Sequence, residues 1–510
     1  MEDNKTIVNS LLCASIEGVN AKLVEVEGSL TKGLPNFTVV GLASSDIQEA
    51  KERAKNALIA SGFELPPLKI TINLSPSDIK KSGTHFDLSI AILVALGDIK
   101  IKHKELFVFG ELGLDGRVKS SSLIFPLILS LKEQGLIKRA IVPKDAIESL
   151  QFIKGVEFYG VESLKEAIEL LKTDTLPKLE NISKEYDALK LEINGKNYYY
   201  LNEYYEDFAD IKGQEVAIRA ALISAAGMHN ILLNGNPGSG KSMIAKRLRY
   251  ILPPLSQEEI LAIARHQFLD NQKPSFKPLR PFRSPHHTAT SAAIFGGGSH
   301  NAKIGEVALA SYGILFFDEL PHFNSKVLEA LREPMQDRVV NIARVNSKVS
   351  YNANFLFVGA MNPCPCGNLL SKTKECRCSD LEIKRYKNRL SDPFLDRIEL
   401  FVTMQEVDFN KKNVTTSKQM HQSVIKAFIA QKQRGQSQLN GQLQESQIDK
   451  FCILDNEAKE VLNLAIERFG LSYRSIANVK KVARTIADLE GSKLISKKHM
   501  LEALSFRKRE

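Results

Sequence analysis

Three features that mark large classes of protein are missing from this 510-residue sequence. Its apolar stretches are interrupted well before the ~20 residues that a bilayer-spanning helix needs, so we expect no membrane segment. The N-terminal stretch MEDNKTIVNSLLCASIEG opens with two acids and lacks the basic region and long apolar run of a secretory signal, which predicts a cytoplasmic protein. No short-period repeat or low-complexity segment is evident, so nothing in the sequence indicates a solenoid or other repeat architecture.

Composition and charge indicate the broad class. Hydrophobic residues make up 43% and charged residues 25% of the chain, as is usual for soluble globular proteins. At roughly 150 residues per domain, the length suggests about three domains and a multi-domain enzyme. The net charge is +10, and residues 480–510 hold half of that excess, with nine Lys and Arg against four acids. Such a basic end attracts nucleic-acid phosphates, although a solvated helix face has the same composition.

The first 172 residues alternate strand-like and helix-like patterns and predict an α/β domain. The stretches NAKLVEVEG, PNFTVVG and LKITINLSP indicate strands, and FDLSIAILVALG indicates a buried helix. The stretch SSDIQEAKERAKNALIASG predicts an amphipathic helix, with Ser44 or Ser45 as its N-cap and Gly62 as its C-terminal stop. The apolar stripe of that helix comprises Ile47, Ala50, Ala54, Ala57 and Leu58.

Residues 173–207 are interpreted as an interdomain linker, because charge and tyrosine dominate and no period is sustained. The tyrosines could stack on nucleic-acid bases, but packing against a neighbouring domain is the favoured interpretation. They are Tyr198, Tyr199, Tyr200, Tyr204 and Tyr205. A second α/β domain is predicted over 208–423, and the pattern of residues 424–510 is almost entirely helical.

A phosphate-binding loop is predicted between the apolar strand NILLNG and the helix that follows it. Glycines there would let backbone N–H groups point at phosphate oxygens, where the helix N-terminus adds partial positive charge. Lys241 would then bridge the β- and γ-phosphates of ATP, and the Ser242 hydroxyl would ligate Mg²⁺. The loop comprises Gly235, Asn236, Pro237, Gly238, Ser239, Gly240, Lys241 and Ser242.

The stretch GILFFDE predicts a parallel strand that is buried on both faces and ends in Asp318 and Glu319. Asp318 would hold Mg²⁺ through water, and Glu319 would orient and activate the water that attacks the phosphate. The alternative is a strand that ends in a solvated acidic pair.

A third strand, NFLFVGAMN, ends at Asn362, which is placed to polarise the attacking water from between the other two strands. Farther along, LSDPFLDRIEL carries Arg397 and LSYRSIANVKKVARTIADL carries Arg474. In a ring, an arginine of one subunit could reach the γ-phosphate in the next, while a lid arginine senses that phosphate within its own subunit. Either arginine could instead form an ordinary ion pair at a helix end.

The order of several motifs resembles that in the magnesium-chelatase-like family of AAA+ ATPases. These motifs are GNPGSGKS, RPFRSPHHT, FGGG, ILFFDEL, GAMNPCPCG, SDPFLDRIEL and VARTIADLEG. The N-terminal motifs GLPNFTVVGL, ITINLSPSDIKKSGTHFDLSIA and FGELGLDGRV are similar to those of its bacterial competence-type branch, the ComM and YifB proteins. The resemblance covers nearly the whole chain apart from the tyrosine-rich segment.

This resemblance implies an α/β fold with an N-terminal Lon-protease-like domain of the ribosomal S5 domain 2 type at 1–172. An AAA+ P-loop domain and a helical lid would follow it. The implied assembly is a hexameric ring that uses ATP and Mg²⁺ and carries a hairpin insertion at its pore. The resemblance also implies catalytic roles that agree with those argued above, for Lys241, Ser242, Asp318, Glu319, Asn362, Arg397 and Arg474.

The segment RPFRSPHHTATSAAIFGGGSH resembles the family's insertion, which faces the pore or a neighbouring subunit. His286 and His287 are adjacent within it. Because adjacent side chains on an extended segment point apart, we expect contact with substrate or a subunit interface here, rather than joint ligation of a metal.

Four of the six cysteines form a C-x-C-x9-C-x-C cluster: Cys364, Cys366, Cys376 and Cys378. In a cytoplasm that keeps thiols reduced, the cluster favours zinc or a local structural clip over disulfides. The C-x-C spacing is tighter than that of most zinc sites. Cys13 and Cys452 are predicted to be ordinary buried thiols.

The N-terminal domain resembles the Lon-type domain of the family but does not carry its catalytic dyad. A Ser-Lys peptidase would need its serine at the head of the helix FDLSIAILVAL, where Asp87 stands. Ser89 lies within the helix and is expected to pack or to bond back to the backbone. The domain is therefore interpreted as a non-catalytic module that binds substrate or organises the ring.

Three functions follow from these observations. The leading hypothesis is a hexameric motor that translocates along single-stranded or branched DNA, similar to the branch-migration helicases of transformation and recombination. The second is the motor of a chelatase that inserts magnesium into a tetrapyrrole, or another remodelling ATPase that does not act on DNA. The third is an ATP-dependent protease, which the missing dyad disfavours.

Overall fold

The computed structural model describes residues 8–97, 99, 101–103, 105–177, 184–297, 303–343, 348–406 and 414–507. The chain divides into two compact units. The first unit comprises Met1–Glu185 and Ala264–Ser275, and the second comprises Tyr186–Ile263 and Phe276–Glu510.

The first unit contains nine strands and five α-helices among its described residues. The strands are β1 (Val8–Glu17), β2 (Asn20–Thr31), β3 (Asn36–Val40), β4 (Lys69–Ser75), β5 (Phe107–Val108), β6 (Glu111–Leu112), β7 (Val118–Lys119), β8 (Arg139–Pro143) and β9 (Glu157–Val161). The helices are α1 (Ser45–Ala60), α2 (Asp87–Leu96), α3 (Ile124–Glu133), α4 (Ile147–Leu150) and α5 (Leu164–Lys172). Seven strands form one mixed sheet in the order β3-β4-β2-β1-β5-β8-β9.

Helices α1 and α2 confirm the two helix predictions for this unit. The buried residues of α1 are the five of the predicted apolar stripe, and Gly62 follows the helix with a φ of +82°. Helix α2 is buried on every side except at Ala95, because its sequence is apolar all round.

The second unit contains the remaining strands. They are β10 (Leu189–Ile193), β11 (Lys196–Tyr200), β12 (Ile231–Asn234), β13 (Leu255–Ser256), β14 (Phe282–Arg283), β15 (Gly296–Gly297), β16 (Lys303–Ile304), β17 (Ile314–Phe317), β18 (Val339–Ala343), β19 (Lys348–Asn352), β20 (Leu356–Met361) and β21 (Leu400–Thr403). Five of them form a parallel sheet in the order β14-β17-β20-β12-β21. Strands β17 and β20 are buried along their whole length, as their apolar sequences predict.

The later α-helices continue to the end of the described chain. They are α6 (Glu215–Gly227), α7 (Lys241–Ile251), α8 (Gln257–Leu269), α9 (Ser291–Phe295), α10 (Glu306–Leu309), α11 (Ser325–Ala330), α12 (Arg332–Asp337), α13 (Asp380–Lys387), α14 (Asp392–Leu395), α15 (Ser417–Gln433), α16 (Glu445–Phe451), α17 (Asn456–Phe469), α18 (Tyr473–Leu489) and α19 (Lys497–Ser505). The helical pattern predicted for the last part of the chain is thus confirmed from α15 to α19. Helices α6 and α7 pack against the parallel sheet. None of the described helices is long and apolar enough to cross a membrane.

The segment 173–207 contains an element that the sequence interpretation missed. Strands β10 and β11 form an antiparallel hairpin whose turn is Asn194-Gly195, both with positive φ. An Asn-Gly pair of this kind matches the twist of a two-residue hairpin. Strand β11 also pairs with β13, so the hairpin belongs to the second unit.

Packing accounts for most of the tyrosine cluster, as the favoured interpretation held. Tyr198 and Tyr199 are buried, and the Tyr198 ring meets Phe428 edge-on with centroids 5.0 Å apart. The Tyr204 hydroxyl lies 2.9 Å from His421 Nδ1. Tyr205 is exposed.

Candidate ATP site

The loop 235–240 joins β12 directly to α7, in the strand–loop–helix order that phosphate binding requires. Gly238 and Gly240 have φ values of +78° and +93°, which side chains other than glycine rarely adopt. A Cβ on Gly235 would lie 2.8 Å from Ser239 Oγ and 2.9 Å from Met404 Cβ. The glycines are therefore needed for the path of the loop as well as for phosphate access.

Lys241 is buried within the loop. Its ammonium group donates to the carbonyl oxygens of Gly235 at 2.6 Å and Asn236 at 3.0 Å, and to Asn362 Oδ1 at 3.1 Å. Burial lowers the pKa of Lys241, while Asp318 and Glu319 act in the opposite direction. The cation is held at the place where the loop would surround a phosphate.

Two residues from neighbouring elements, Ser242 and Asp318, are suited to bind Mg²⁺. The Ser242 hydroxyl in α7 donates to Asp318 Oδ2 after β17, at 2.8 Å. Asp318 Oδ1 accepts from the Glu319 N–H at 3.0 Å, which fixes the carboxylate plane. A hydroxyl and a carboxylate in contact are oxygen ligands that Mg²⁺ takes beside nucleotide phosphates, so these residues suit the cation.

Glu319 has a left-handed backbone, with a φ of +51°. That conformation is strained for a residue with a side chain and is concentrated at functional sites. Its side chain is 55% exposed, and its Oε2 lies 3.7 Å from His287 Nδ1. The carboxylate therefore faces solvent and has His287 close by, as suits a group that activates water.

Asn362 directly follows β20, which lies between β12 and β17 in the sheet. Because all three strands are parallel, their carboxyl ends lie at one edge. The structure thus brings Lys241, Ser242, Asp318, Glu319 and Asn362 to that edge.

Sequence reasoning missed one residue that supports the loop, Gln214. Its side-chain amide donates to the carbonyl oxygens of Ser239 at 3.3 Å and Gln405 at 2.6 Å, and so connects the phosphate loop to the segment after β21.

The expectation that His286 and His287 point apart is wrong. Their ring centroids lie 4.2 Å apart. The Ala289 N–H bonds to the His286 carbonyl at 2.9 Å and closes a turn, so the segment is not extended at this point. The cysteine cluster is the one group within the described residues whose ligand atoms converge as a metal site requires, and neither histidine belongs to it.

Arg397 and Arg474 lie together. Gln336 Oε1 accepts from Arg397 Nη2 at 2.8 Å and from Arg474 Nη2 at 3.1 Å. Arg397 Nε also donates to the Arg332 carbonyl at 3.1 Å. Across the described chain, the hydrogen bonds of these arginines reach neither Lys241 nor Glu319. No sequence motif had indicated Gln336.

The four clustered cysteines converge after β20. Cys364 Sγ lies 3.4 Å from Cys366 Sγ and 3.7 Å from Cys376 Sγ, and all four sulfur atoms lie within 4.8 Å of one another. Zinc with four sulfur ligands at about 2.3 Å would place the sulfurs about 3.8 Å apart, so this set suits such a metal. Hydrogen bonds from the backbone N–H groups of Asn368 and Arg377 lower the pKa of the Cys366 thiol to about 6, which favours the thiolate that metals bind. Cys13 and Cys452 are buried, as predicted.

Asp87, at the head of α2, is fully buried and paired with Arg53, at 2.6 Å and 3.0 Å. Burial raises the pKa of Asp87 and the Arg53 contacts oppose that shift. Ser89 donates to the Phe86 carbonyl at 3.1 Å, as a back-bonding serine would. The ammonium group of the buried Lys81 donates to the Pro76 carbonyl. Ser89 and Lys81 therefore each bond to the backbone rather than to each other.

Several basic side chains of residues 480–510 are buried or ion-paired within the second unit. Arg484 is fully buried and donates to Asp488 at 2.9 Å and to the Lys493 carbonyl at 2.8 Å. Lys480 pairs with Asp449 at 3.1 Å. The side chains of Lys493 and Lys497 remain exposed. Fewer charges therefore face solvent than the composition suggested.

A parallel five-stranded sheet, a phosphate loop after one strand, and an acidic pair after another define an AAA+-like P-loop ATPase. Three family descriptions match the chain: "Subunit ChlI of Mg-chelatase" over 26–146, "Magnesium chelatase, subunit ChlI" over 207–412, and "Magnesium chelatase, subunit ChlI C-terminal" over 414–507.

Individual relatives agree with these matches. Competence protein ComM of Haemophilus influenzae is 37% identical over 501 residues, which cover 96% of this chain and 95% of that protein. The YifB protein of Escherichia coli is 37% identical over 500 residues, with the same coverage. The 67 kDa subunit of magnesium-chelatase from Heliobacterium mobile is 26% identical over 186 residues, or 30% of this chain and 28% of that protein. The chain belongs to the ComM/YifB-type, magnesium-chelatase-like family.

Proposed function

We propose that the protein hydrolyses ATP at the carboxyl edge of the parallel sheet. The observation that carries this proposal is the convergence of Lys241, the hydrogen-bonded pair Ser242 and Asp318, Glu319 and Asn362 at that edge. Lys241 would bind the phosphates, and Ser242 and Asp318 would hold Mg²⁺, which offsets phosphate charge when bound. Glu319 accepts the proton of the attacking water, and Asn362 orients that water.

The active form in this proposal is a ring, with six subunits as the family resemblance suggests. Arg397 and Arg474 are held side by side on Gln336, so a single contact would present both to a neighbouring subunit. There they would stabilise the charge that develops on the γ-phosphate.

We further propose that this motor moves along DNA in the cytoplasm. Support comes from the near full-length similarity to a relative named for competence, and from the lysines that stay exposed near the end of the chain. Exposed lysines bind phosphates without regard to base sequence, as a translocating motor requires.

The deciding experiment measures the steady-state ATPase rate alone and with single-stranded, double-stranded and four-way-junction DNA. Lys241→Ala and Glu319→Gln should abolish the rate, whereas Lys246→Ala, an exposed lysine on the same helix, should retain it. Stimulation by DNA that falls with rising salt would support the motor. A rate that no DNA changes, together with no DNA binding at low salt in the presence of nucleotide, would rule out the DNA step while leaving the ATPase.

A second candidate is the motor of a magnesium chelatase. The family descriptions and the partial similarity to a chelatase subunit favour it, but that similarity covers only 30% of this chain. Formation of magnesium-porphyrin when the protein is mixed with the other chelatase subunits would establish this function instead.

We also propose that the four clustered cysteines bind one zinc ion. The sulfurs of Cys364, Cys366 and Cys376 lie 3.4 to 3.7 Å apart, and all four lie within 4.8 Å of one another, which suits a tetrahedral ion with thiolate ligands. A site closed by four protein ligands has a structural role, since no position is left for a reacting water.

A further inference from the structure

The cysteine-bearing loop begins at the catalytic edge of the sheet. Asn362 directly follows β20 and bonds to Lys241, and Cys364 comes two residues later. The loop runs through Cys366, Cys376 and Cys378 and ends where α13 begins at Asp380. A ligand that fixes the conformation of this loop would therefore act close to the phosphate loop.

Two residues of the phosphate loop, Asn236 and Pro237, contact the cysteine-bearing loop. With its amide oriented to satisfy both partners, Asn236 donates to the Gly367 carbonyl at 2.8 Å and accepts from the Ser371 N–H at 3.1 Å. Gly367 also lies against Pro237, because a Cβ on it would come within 2.7 Å of the proline ring. Both phosphate-loop residues belong to the stretch whose N–H groups would face the nucleotide.

The position of Gly367 depends on the cysteines around it. Its φ of +80° makes the backbone turn, and its N–H bonds to the Cys364 carbonyl at 3.0 Å. Cys364 and Cys366 thus bracket the turn that presents Gly367 to Asn236 and Pro237. A metal bound by all four thiolates would fix that turn to the segment around Cys376 and Cys378.

We infer that the metal held by Cys364, Cys366, Cys376 and Cys378 keeps the phosphate loop in its binding conformation through Gly367, so nucleotide affinity depends on metal occupancy. The inference rests on the proposed ATP and zinc sites and does not involve DNA. Without the metal, the Asn236 and Pro237 contacts loosen, and the phosphate loop must be ordered each time nucleotide binds. The loss of two positioned contacts corresponds to about a tenfold weaker affinity.

The test compares metal content and nucleotide affinity in the full chain, with no DNA present. Zinc per chain is measured by elemental mass spectrometry, and the Kd for fluorescent ADP with Mg²⁺ is measured by titration. We expect one zinc per chain, its loss in Cys376→Ser/Cys378→Ser, and a Kd about tenfold higher in that variant. Cys13→Ala removes a buried thiol of the first unit and should change neither quantity.

A second pair of variants tests the contact without touching a ligand. Gly367→Ala should keep its zinc but raise the Kd, because the new methyl group meets Pro237. Gly135→Ala has a similar positive φ of +72° with no atom within 4 Å, so it controls for backbone strain.

Several outcomes would overturn the inference. One is wild-type protein that contains no zinc after purification under reducing conditions. Another is a Cys376→Ser/Cys378→Ser protein that has lost zinc, is folded by circular dichroism, and binds ADP as wild type does. If that variant does not fold, an unchanged Kd in zinc-bearing Gly367→Ala would itself refute the coupling. Absence of any DNA effect would leave these results intact, because no DNA enters the assay.

Discussion

Arg397 and Arg474 donate to the same oxygen, Gln336 Oε1, at 2.8 Å and 3.1 Å. One arginine follows the short helix α14 and the other lies in the first turn of α18, so folding joins two distant parts of the chain. Burial, and after it the positive charge of Arg474, lowers the pKa of Arg397. A paired cationic surface of this kind is suited to bind a polyphosphate anion.

The first prediction is that both arginines act on the ATP site of a neighbouring subunit. Arg397→Ala and Arg474→Ala should each lower kcat by about a thousandfold or more, as the loss of an arginine finger does. Mixing Arg474→Ala subunits with Lys241→Ala subunits should restore part of the ATPase rate. The reason is that an intact site then meets intact arginines across some interfaces.

The measurement is the ATPase rate across a series of mixing ratios at constant total protein. Lys241→Ala mixed with Glu319→Gln is the matched control, since both changes disable the same site and no restoration is expected. If Arg474→Ala shows no restoration but Arg397→Ala does, then Arg474 acts within its own subunit.

The second prediction concerns Mg²⁺. Ser242→Ala and Asp318→Asn should each raise the Mg²⁺ concentration for half-maximal ATPase by about tenfold, because each removes an oxygen ligand or its charge. Since the two side chains are hydrogen-bonded, their effects should not add in the double variant. Mg²⁺ titrations of all four proteins provide the test, and additive effects would argue against a shared cation.

The third prediction assigns a positioning role to His287. Loss of its side chain would free the Glu319 carboxylate, which lies 3.7 Å from His287 Nδ1. His287→Ala should therefore lower kcat by about tenfold and leave the KM for ATP within about twofold. His286→Ala is the matched control, because its Nδ1 bonds to Thr288 Oγ1 at 2.8 Å instead. A raised KM with unchanged kcat in His287→Ala would indicate a binding role.

The fourth prediction is that two buried histidines, His229 and His421, destabilise the second unit in mild acid. Burial lowers the pKa of His229 to about 3 and that of His421 to about 4. At pH values between those and the unfolded pKa of about 6.5, these histidines bind protons in the unfolded chain but stay neutral in the folded chain. The free energy of unfolding should therefore fall by about 3 kcal/mol between pH 7.5 and 5.5 from these two groups.

Urea unfolding at the two pH values measures this loss. The buried Glu399, whose pKa is raised to about 7 by burial, acts in the opposite direction over this range, so the histidine contribution is measured as a difference between two proteins. His421→Gln removes one titrating group, so its free energy of unfolding should fall by about 1.4 kcal/mol less than that of wild type between the two pH values. A pH dependence identical to that of wild type would show that His421 is not held neutral by the fold.

Local sequence patterns were sufficient for the parts of the fold with strong periodicity or fixed chemistry. The apolar stripe of α1, the all-apolar α2 and the buried strands β17 and β20 follow from burial and period alone. The hairpin of β10 and β11 was missed because its charged and tyrosine-rich strands hide the alternation, although Asn194-Gly195 was a usable signal.

By itself, the sequence determined the phosphate loop, the acidic pair and the cysteine cluster, because each is a short run whose backbone or ligand chemistry tolerates few other residues. Only the tertiary structure decided which side chains meet across distant segments. It placed His287 beside Glu319, both arginines on Gln336, and Gly367 against Pro237. These contacts depend on how elements far apart in the chain pack together, and no local pattern encodes that packing.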